Sequence, residues 1–186
     1  MSFSYETKNE LCRLPVQKLC CARAEAYGIL LYCNTFSATE VRVITENPNF
    51  AERLPKLFRR AFGLSFDRQP DKEQTEGKRI FQITDPRKLN HIINVLGYDP
   101  QQNLVLHINF AFMEEACDQA AFLRGAFFAG GSITDPQKRY HLELTTSHLQ
   151  VSREIESLLV ECGYPPKSLS RIGSSITYFK QSDQIE

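Results

Sequence analysis

Glycine recurs in this chain where a helix should exclude it. The stretch Ala121-Phe122-Leu123-Arg124-Gly125-Ala126-Phe127-Phe128-Ala129-Gly130-Gly131 puts Ala121, Gly125 and Ala129 four residues apart, on one face of a helix. Glycine inside a helix costs about 1 kcal/mol relative to alanine, so it needs a packing reason, and close approach of a second helix backbone supplies one. A matching helix exists upstream. In Ala24-Glu25-Ala26-Tyr27-Gly28-Ile29-Leu30-Leu31-Tyr32-Cys33-Asn34, Ala24 and Gly28 hold the equivalent places, with Tyr32 at the third. The spacing predicts a seam of two helices touching through Ala24, Gly28, Ala121, Gly125 and Ala129, with Gly28 opposite Gly125.

The surroundings of the two helices repeat as well. Phe50, Leu54, Leu57, Phe58 and Ala61 match Val151, Ile155, Leu158, Leu159 and Cys162 at a constant offset of 101 residues, and the seam helices match at 97. The turn after the first seam helix is therefore four residues shorter than its counterpart. A fixed period of this kind marks an internal duplication. Unit one spans about 17–97, a connection 98–113, and unit two about 114–186.

Each unit reads as α-β-β-α-β-β-α. A short helix from Tyr5 to Leu14, ended by Pro15, precedes the first seam helix. Val41 and Val43 alternate with Arg42 as a half-buried strand does, and Asn47-Pro48 opens a helix that stays in register to Phe62 through a kink at Pro55. Leu64-Ser65-Phe66 and residues 78–83 predict two strands around a polar loop, Asp67 to Gly77. Asp85-Pro86 begins a helix burying Leu89, Ile92, Ile93 and Leu96 and stopping at Gly97. Unit two repeats the order with a turn at Thr134-Asp135-Pro136, strands at 140–145, 167–172 and 176–179, and a helix to Cys162. Its last helix is truncated, with Ser182 and Asp183 as cap and Ile185 as first buried residue. The expected fold class is α+β: two tandem pseudo-symmetric units, each a four-stranded antiparallel sheet with helices on one face, joined by the seam. Two helix-free faces side by side would form a concave surface suited to duplex DNA.

Composition is that of an ordinary globular protein, 42% hydrophobic and 24% charged. The chain has no run of 18 apolar residues, and Met1-Ser2-Phe3-Ser4-Tyr5-Glu6 is not a signal peptide, which predicts a cytoplasmic protein without a membrane partner. Cys12, Cys20, Cys21, Cys33, Cys117 and Cys162 read as buried thiols, and Cys20-Cys21 beside Arg23 as a core pair at a helix start rather than a low-pKa thiol pair. With no C-x-x-C, and with His91, His107, His141 and His148 unpaired in spacing with cysteine, neither a zinc site nor a cofactor is expected.

Tyr27-Gly28-Ile29-Leu30 and the run from Phe122 to Ser132 resemble the paired LAGLIDADG helices of homing endonucleases. With Met1-Ser2-Phe3-Ser4, Arg13-Leu14-Pro15-Val16, Thr45-Glu46-Asn47 and Tyr140-His141-Leu142-Glu143, they more closely resemble the WhiA family of bacterial regulators. The resemblance covers essentially the whole chain. It implies a degenerate LAGLIDADG domain over 1–186, a helix-turn-helix domain beyond 186, and a role in sporulation, cell division and chromosome segregation at the nucleoid. In the endonucleases the penultimate motif position carries an acid, and the two acids hold divalent metal. Here Cys33 and Gly130 stand at those places, and neither ligates Mg²⁺ as a carboxylate would. The nearest acids, Glu40 and Asp135, read as turn-forming or solvated. The resemblance thus implies no catalytic residue, no metal and no small-molecule substrate.

Charge is balanced, 22 Lys and Arg against 22 Asp and Glu with a pI near 6.9, whereas a phosphate-tracking surface usually has a basic excess. Distribution matters more than the sum. Arg42, Lys78, Arg79, Lys138, Arg139, Lys167 and Arg171 lie on or beside strands of the expected open face and are the candidate DNA contacts; a solvated rim is the plainer reading of the same residues. Double-stranded DNA, bound mainly through the domain expected beyond 186, is the expected partner in transcription regulation. The alternatives are a protein-interaction domain with little DNA contact, a metal-dependent nuclease, which lacks its acids, and a thiol hydrolase using Cys33, which lacks a paired histidine.

Overall fold

The computed structural model describes residues 2–16, 18–99 and 104–186. Helix α1 (Phe3–Leu11) begins where the Ser2 hydroxyl accepts from the Tyr5 N–H, a little earlier than the periodicity predicts. The first seam helix is α2 (Leu19–Tyr32), the second α5 (Ala116–Gly130). Between them come β1 (Thr35–Phe36), β2 (Val41–Thr45), α3 (Pro48–Phe62), β3 (Arg79–Ile83) and α4 (Pro86–Val95). After α5 come β4 (Gly131–Ile133), β5 (Leu142–Thr146), α6 (Leu149–Glu161), β6 (Lys167–Arg171), β7 (Ser174–Phe179) and a four-residue α7 (Ser182–Ile185). Asn47 caps α3 by accepting from the N–H groups of Asn49 and Phe50 at 2.9 and 3.0 Å, and α3 runs unbroken past Pro55 to Gly63, whose φ of 69° ends it.

The seam packs backbone on backbone. A Cβ on Gly28 would lie 2.2 Å from the Phe122 carbonyl oxygen, and one on Gly125 would lie 2.0 Å from that of Glu25. The Gly28 Cβ would also lie 2.8 Å from the Ala126 nitrogen, just after Gly125, and the Gly125 Cβ 3.1 Å from the Ile29 nitrogen, just after Gly28. Each glycine thus receives the backbone of the other helix, and this reciprocity is what a duplicated helix produces. Cys21 meets Asp118 at one end of the seam and Tyr32 meets Gly130 at the other, so the helices run parallel. Ala24 and Ala121 are buried in the seam, and Ala129 is half-buried against the same core.

Two polar networks that the sequence pattern does not reveal brace the seam. The Glu25 carboxylate, 1% exposed, accepts from Arg53 Nε and Nη2 at 2.8 Å each and from Arg124 Nε. Arg53 Nη1 also donates to the Leu14 carbonyl at 2.6 Å, which ties the segment after α1 to α3. On the other side, the Tyr27 hydroxyl lies 2.6 Å from both the Tyr98 hydroxyl and the His107 carbonyl, and accepts from the Asn109 N–H at 2.9 Å. That network fastens the connection between units to α2. Of the connection expected at 98–113, residues 100–103 lie outside those described, as does Gln17 at the start of unit one.

The sheets differ where the units should match. Unit two has four antiparallel strands in the order β4-β5-β7-β6, but unit one has three, β1-β2-β3. The strand expected at Leu64-Ser65-Phe66 does not form, and only an isolated bridge joins Arg68 to Gln82. The backbone there finds other partners. The Ser65 carbonyl accepts from Lys88 Nζ at 2.9 Å, while Phe66 is buried against Phe58 and Phe81. In each unit the helix that follows the second strand, α3 or α6, covers one sheet face with its apolar stripe.

Candidate nucleic-acid interface

Strand alternation sorts the candidate residues by face. In β2, Val41 and Val43 point into the core, which leaves Arg42 and Ile44 on the helix-free side; in β3, Arg79, Phe81 and Ile83 are buried and Ile80 and Gln82 face out. Arg79 therefore belongs to the wrong face for the role expected of it. It is 6% exposed and donates to the carbonyls of Glu46 and Gly77, holding a loop in place. Arg42 does face out, but its guanidinium is paired with Glu40 at 2.9 Å, and Glu40 also accepts from Gln82 Nε2 at 2.5 Å. Those two donors, Arg42 first, hold the Glu40 carboxyl below the usual carboxylate range. Lys78 is exposed at the start of β3 and, with Arg68, borders a groove over Ile80 that also contains Asp71.

Unit two carries the denser positive surface. The register pairs Glu143 with Tyr178, Tyr178 with Lys167, Ile176 with Leu169 and Ser174 with Arg171, so all of these lie on the helix-free face. Every residue of β6 is exposed. Arg139, His141, Glu143, Leu169, Arg171, Ile176, Tyr178 and Lys180 line a groove of about 300 Å³ there. The His141 ring stacks on Tyr178, centroids 5.9 Å apart, and its Nε2 lies 3.0 Å from Glu143 Oε2, while Lys180 Nζ sits 5.5 Å from the Tyr178 ring centre in a cation–π contact. Arg139, Arg171 and Lys180 thus line one groove with Tyr178 and a single described carboxylate, Glu143, and Lys167 is paired with Tyr178 on the neighbouring strand. Lys138 is exposed on the turn between β4 and β5, next to Arg139. Sequence reasoning missed Tyr178 and Lys180, which period-2 counting from Ile176 would have placed on this face.

At the base of the seam, Cys33 and Gly130 stand at the ends of the two helices. Cys33 ends α2 with its thiol 3.3 Å from the carbonyls of Leu30 and Thr35, and burial pushes its pKa up to about 12, so the sulfur is protonated and engaged. Gly130 has no room for a side chain, because a Cβ would lie 2.4 Å from the Thr145 carbonyl oxygen and 3.0 Å from the Tyr32 ring. Of the nearby acids, Glu40 is taken by Arg42, and Asp135 accepts from the Gln137 N–H within its own turn. These residues do not fit a divalent metal held over phosphates.

Residues 119–186 match the family described as the WhiA LAGLIDADG-like domain. The whole chain aligns with a protein from Ruminiclostridium cellulolyticum named probable cell division protein WhiA, 34% identical over 194 residues, and with one of the same name from Alkaliphilus metalliredigens, 30% identical over 197 residues. The chain spans 61% and 62% of the lengths of those curated relatives. Its fold is shared with the crystal structure of the N-terminal LAGLIDADG domain of DUF199/WhiA, TM-score 0.73 at 17% identity, covering 99% of this chain and 88% of that one. I-DmoI, crystallised in complex with DNA and Mn, superposes at a TM-score of 0.62 and 11% identity over 90% of this chain and 94% of its own. Among the described residues, no helix is long and apolar enough to cross a membrane.

Proposed function

This chain carries a LAGLIDADG-like domain of the WhiA type, and from that premise we propose that it is a non-catalytic DNA-binding domain in a transcription regulator of cell division. One observation carries the reading: the helix-free face of the second sheet sets Arg139, Arg171 and Lys180 along one groove with Tyr178, and Lys167 beside Tyr178 on β6, with Glu143 as the single acid among the described residues that line the groove. Cations on an exposed antiparallel sheet track phosphates, and the aromatic ring among them gives an apolar surface for sugar contact. A neighbour of the same fold, I-DmoI, was crystallised with DNA. The role in cell division follows the names of the relatives, and sporulation, chromosome segregation and nucleoid association belong to the same reading.

Fluorescence anisotropy with a labelled duplex across about 50 to 200 mM salt tests it. Affinity is expected to fall steeply with salt in the parent chain. Reversing Arg139, Lys167 and Arg171 together to Glu should weaken binding and flatten the salt slope by about one unit for each phosphate that is no longer neutralised. Affinity unchanged by the triple reversal overturns the reading. The alternative, a protein-interaction domain, is favoured by an apolar groove of about 430 Å³ on the helix side, lined by Leu11, Leu14, Leu123, Phe127, Leu159 and Phe179 among others. Under that alternative, DNA association is weak and insensitive to salt.

A further inference from the structure

At the end of the seam remote from the sheets, the duplication places four metal-binding side chains together. Cys20 and Cys21 are the second and third residues of α2, and Cys117 and Asp118 hold the same two places in α5. Because the helices run parallel, equivalent positions meet. One ligand atom from each of the four residues, three sulfurs and one carboxylate oxygen, lies within 4.8 Å of all the others. Asp118 Oδ1 is 3.7 Å from Cys21 Sγ and 3.9 Å from Cys117 Sγ.

Those lengths can be compared with a tetrahedral zinc ion. Zn–S bonds of about 2.3 Å and Zn–O bonds of about 2.0 to 2.2 Å imply edges between ligand atoms of about 3.5 to 3.8 Å. The two measured sulfur–oxygen edges are already within a few tenths of an ångström of that range. The remaining edges need at most about 1 Å of closure, which small cysteine χ1 adjustments supply. The environment also calls for a cation. Asp118 is 6% exposed, yet among the described residues the hydrogen-bond partners of Oδ1 are thiols, which are weak donors for a buried carboxylate. Two helix N-termini converge here and favour the anionic ligands, and exposed Cys20 leaves a path for the ion to enter. Sulfur selects a soft ion over Mg²⁺.

We propose that Cys20, Cys21, Cys117 and Asp118 form a zinc site that clamps the two seam helices together at their N-terminal ends. Each thiol gives up its proton to solvent on ligation, so three protons leave for each Zn²⁺ bound. Ligand spacing in sequence hides such a site. Its two halves are adjacent pairs, 20–21 and 117–118, rather than a C-x-x-C.

The test uses the purified chain, reduced, stripped with chelator and titrated with Zn²⁺ in competition with a chromophoric chelator, with Co²⁺ as a spectroscopic probe. One equivalent of zinc retained through gel filtration, thiolate-to-cobalt charge-transfer bands and a raised Tm are expected. Cys20→Ser and Cys117→Ser should each weaken zinc by more than the roughly 10- to 100-fold of an outer-shell loss, while Cys12→Ser and Cys162→Ser should leave it unchanged. Because Cys20 is exposed, Cys20→Ser spares the core even if the Asp118 variants fail to fold. Three results overturn the proposal: no zinc retained, equal affinity in Cys20→Ser and Cys162→Ser, or a disulfide between α2 and α5 that forms in the presence of zinc.

Discussion

At Gly125 a single methyl group is too much. Alanine there would gain about 1 kcal/mol in helix propensity, but its Cβ would lie 2.0 Å from the Glu25 carbonyl oxygen, and backbone cannot swing aside as a side chain does. Overpacking costs about 1 to 3 kcal/mol or more, so Gly125→Ala is expected to be destabilised on balance in urea denaturation, and Gly125→Leu more so. Glu25 is the second critical residue. Removing its carboxylate in Glu25→Ala strands Arg53 in the interior and is expected to cost about 3 to 5 kcal/mol by the same measurement. Cys33, with its thiol pKa near 12, should resist iodoacetamide at pH 8 in the folded chain and react on unfolding; mass spectrometry would locate the label. The glycines were legible because their spacing is local. Glu25 was not, because it looks like any helix glutamate until residues 28 and 99 positions away bring Arg53 and Arg124 to it. For the same reason, the thiols read as buried from helical pattern alone turn out half-buried, with Cys20 exposed.

Among the elements, the missing fourth strand of unit one shows how a local pattern loses to tertiary partners. Leu64 and Phe66 alternate with Ser65 as a strand should, and Phe66 does enter the core. What organises the segment is Asp67, which sequence pattern places at the edge of an exposed loop. Its Oδ2 accepts from the N–H groups of Thr84 and Asp85 at 2.7 and 2.8 Å, and Oδ1 accepts from Lys88 Nζ at 2.7 Å, so one carboxylate joins the segment to the start of α4. Asp67→Ala leaves two backbone donors without their acceptor and is expected to cost about 1 to 3 kcal/mol. Asp71→Ala, on the exposed part of the same loop, should change stability by less than about 0.5 kcal/mol. Hydrogen exchange supplies a second readout: the Thr84 and Asp85 amides should lose protection in Asp67→Ala while β7 keeps its own.

For the whole molecule, duplication was legible because it repeats a spacing, and the loss of symmetry was not, because it lies in which side chains occupy matched places. Arg42 of β2 corresponds to Glu143 of β5 at the 101-residue offset, and two of the cations of unit two, Lys167 and Arg171, are supplied by β6, for which unit one has no strand among the described residues. The seam base is asymmetric too, a half-buried thiol at Cys33 against a bare backbone at Gly130. That asymmetry bears on whether a metal-dependent nuclease could be recovered from this domain. Replacing Cys33 with Asp would set a carboxylate beside the Leu30 and Thr35 carbonyls, where like partial charges repel it. Gly130→Asp would drive its Cβ into the Thr145 carbonyl and the Tyr32 ring, displacing β5 or the end of α2. The double variant is therefore expected to melt below the parent, by an amount consistent with at least about 1 to 3 kcal/mol of overpacking, without nicking supercoiled plasmid in Mg²⁺ or Mn²⁺. The parent chain should not nick it either. Cutting by the parent would show that some other ligand set holds metal at this seam, and a double variant as stable as the parent would show that the backbone at Gly130 yields more easily than its close packing implies.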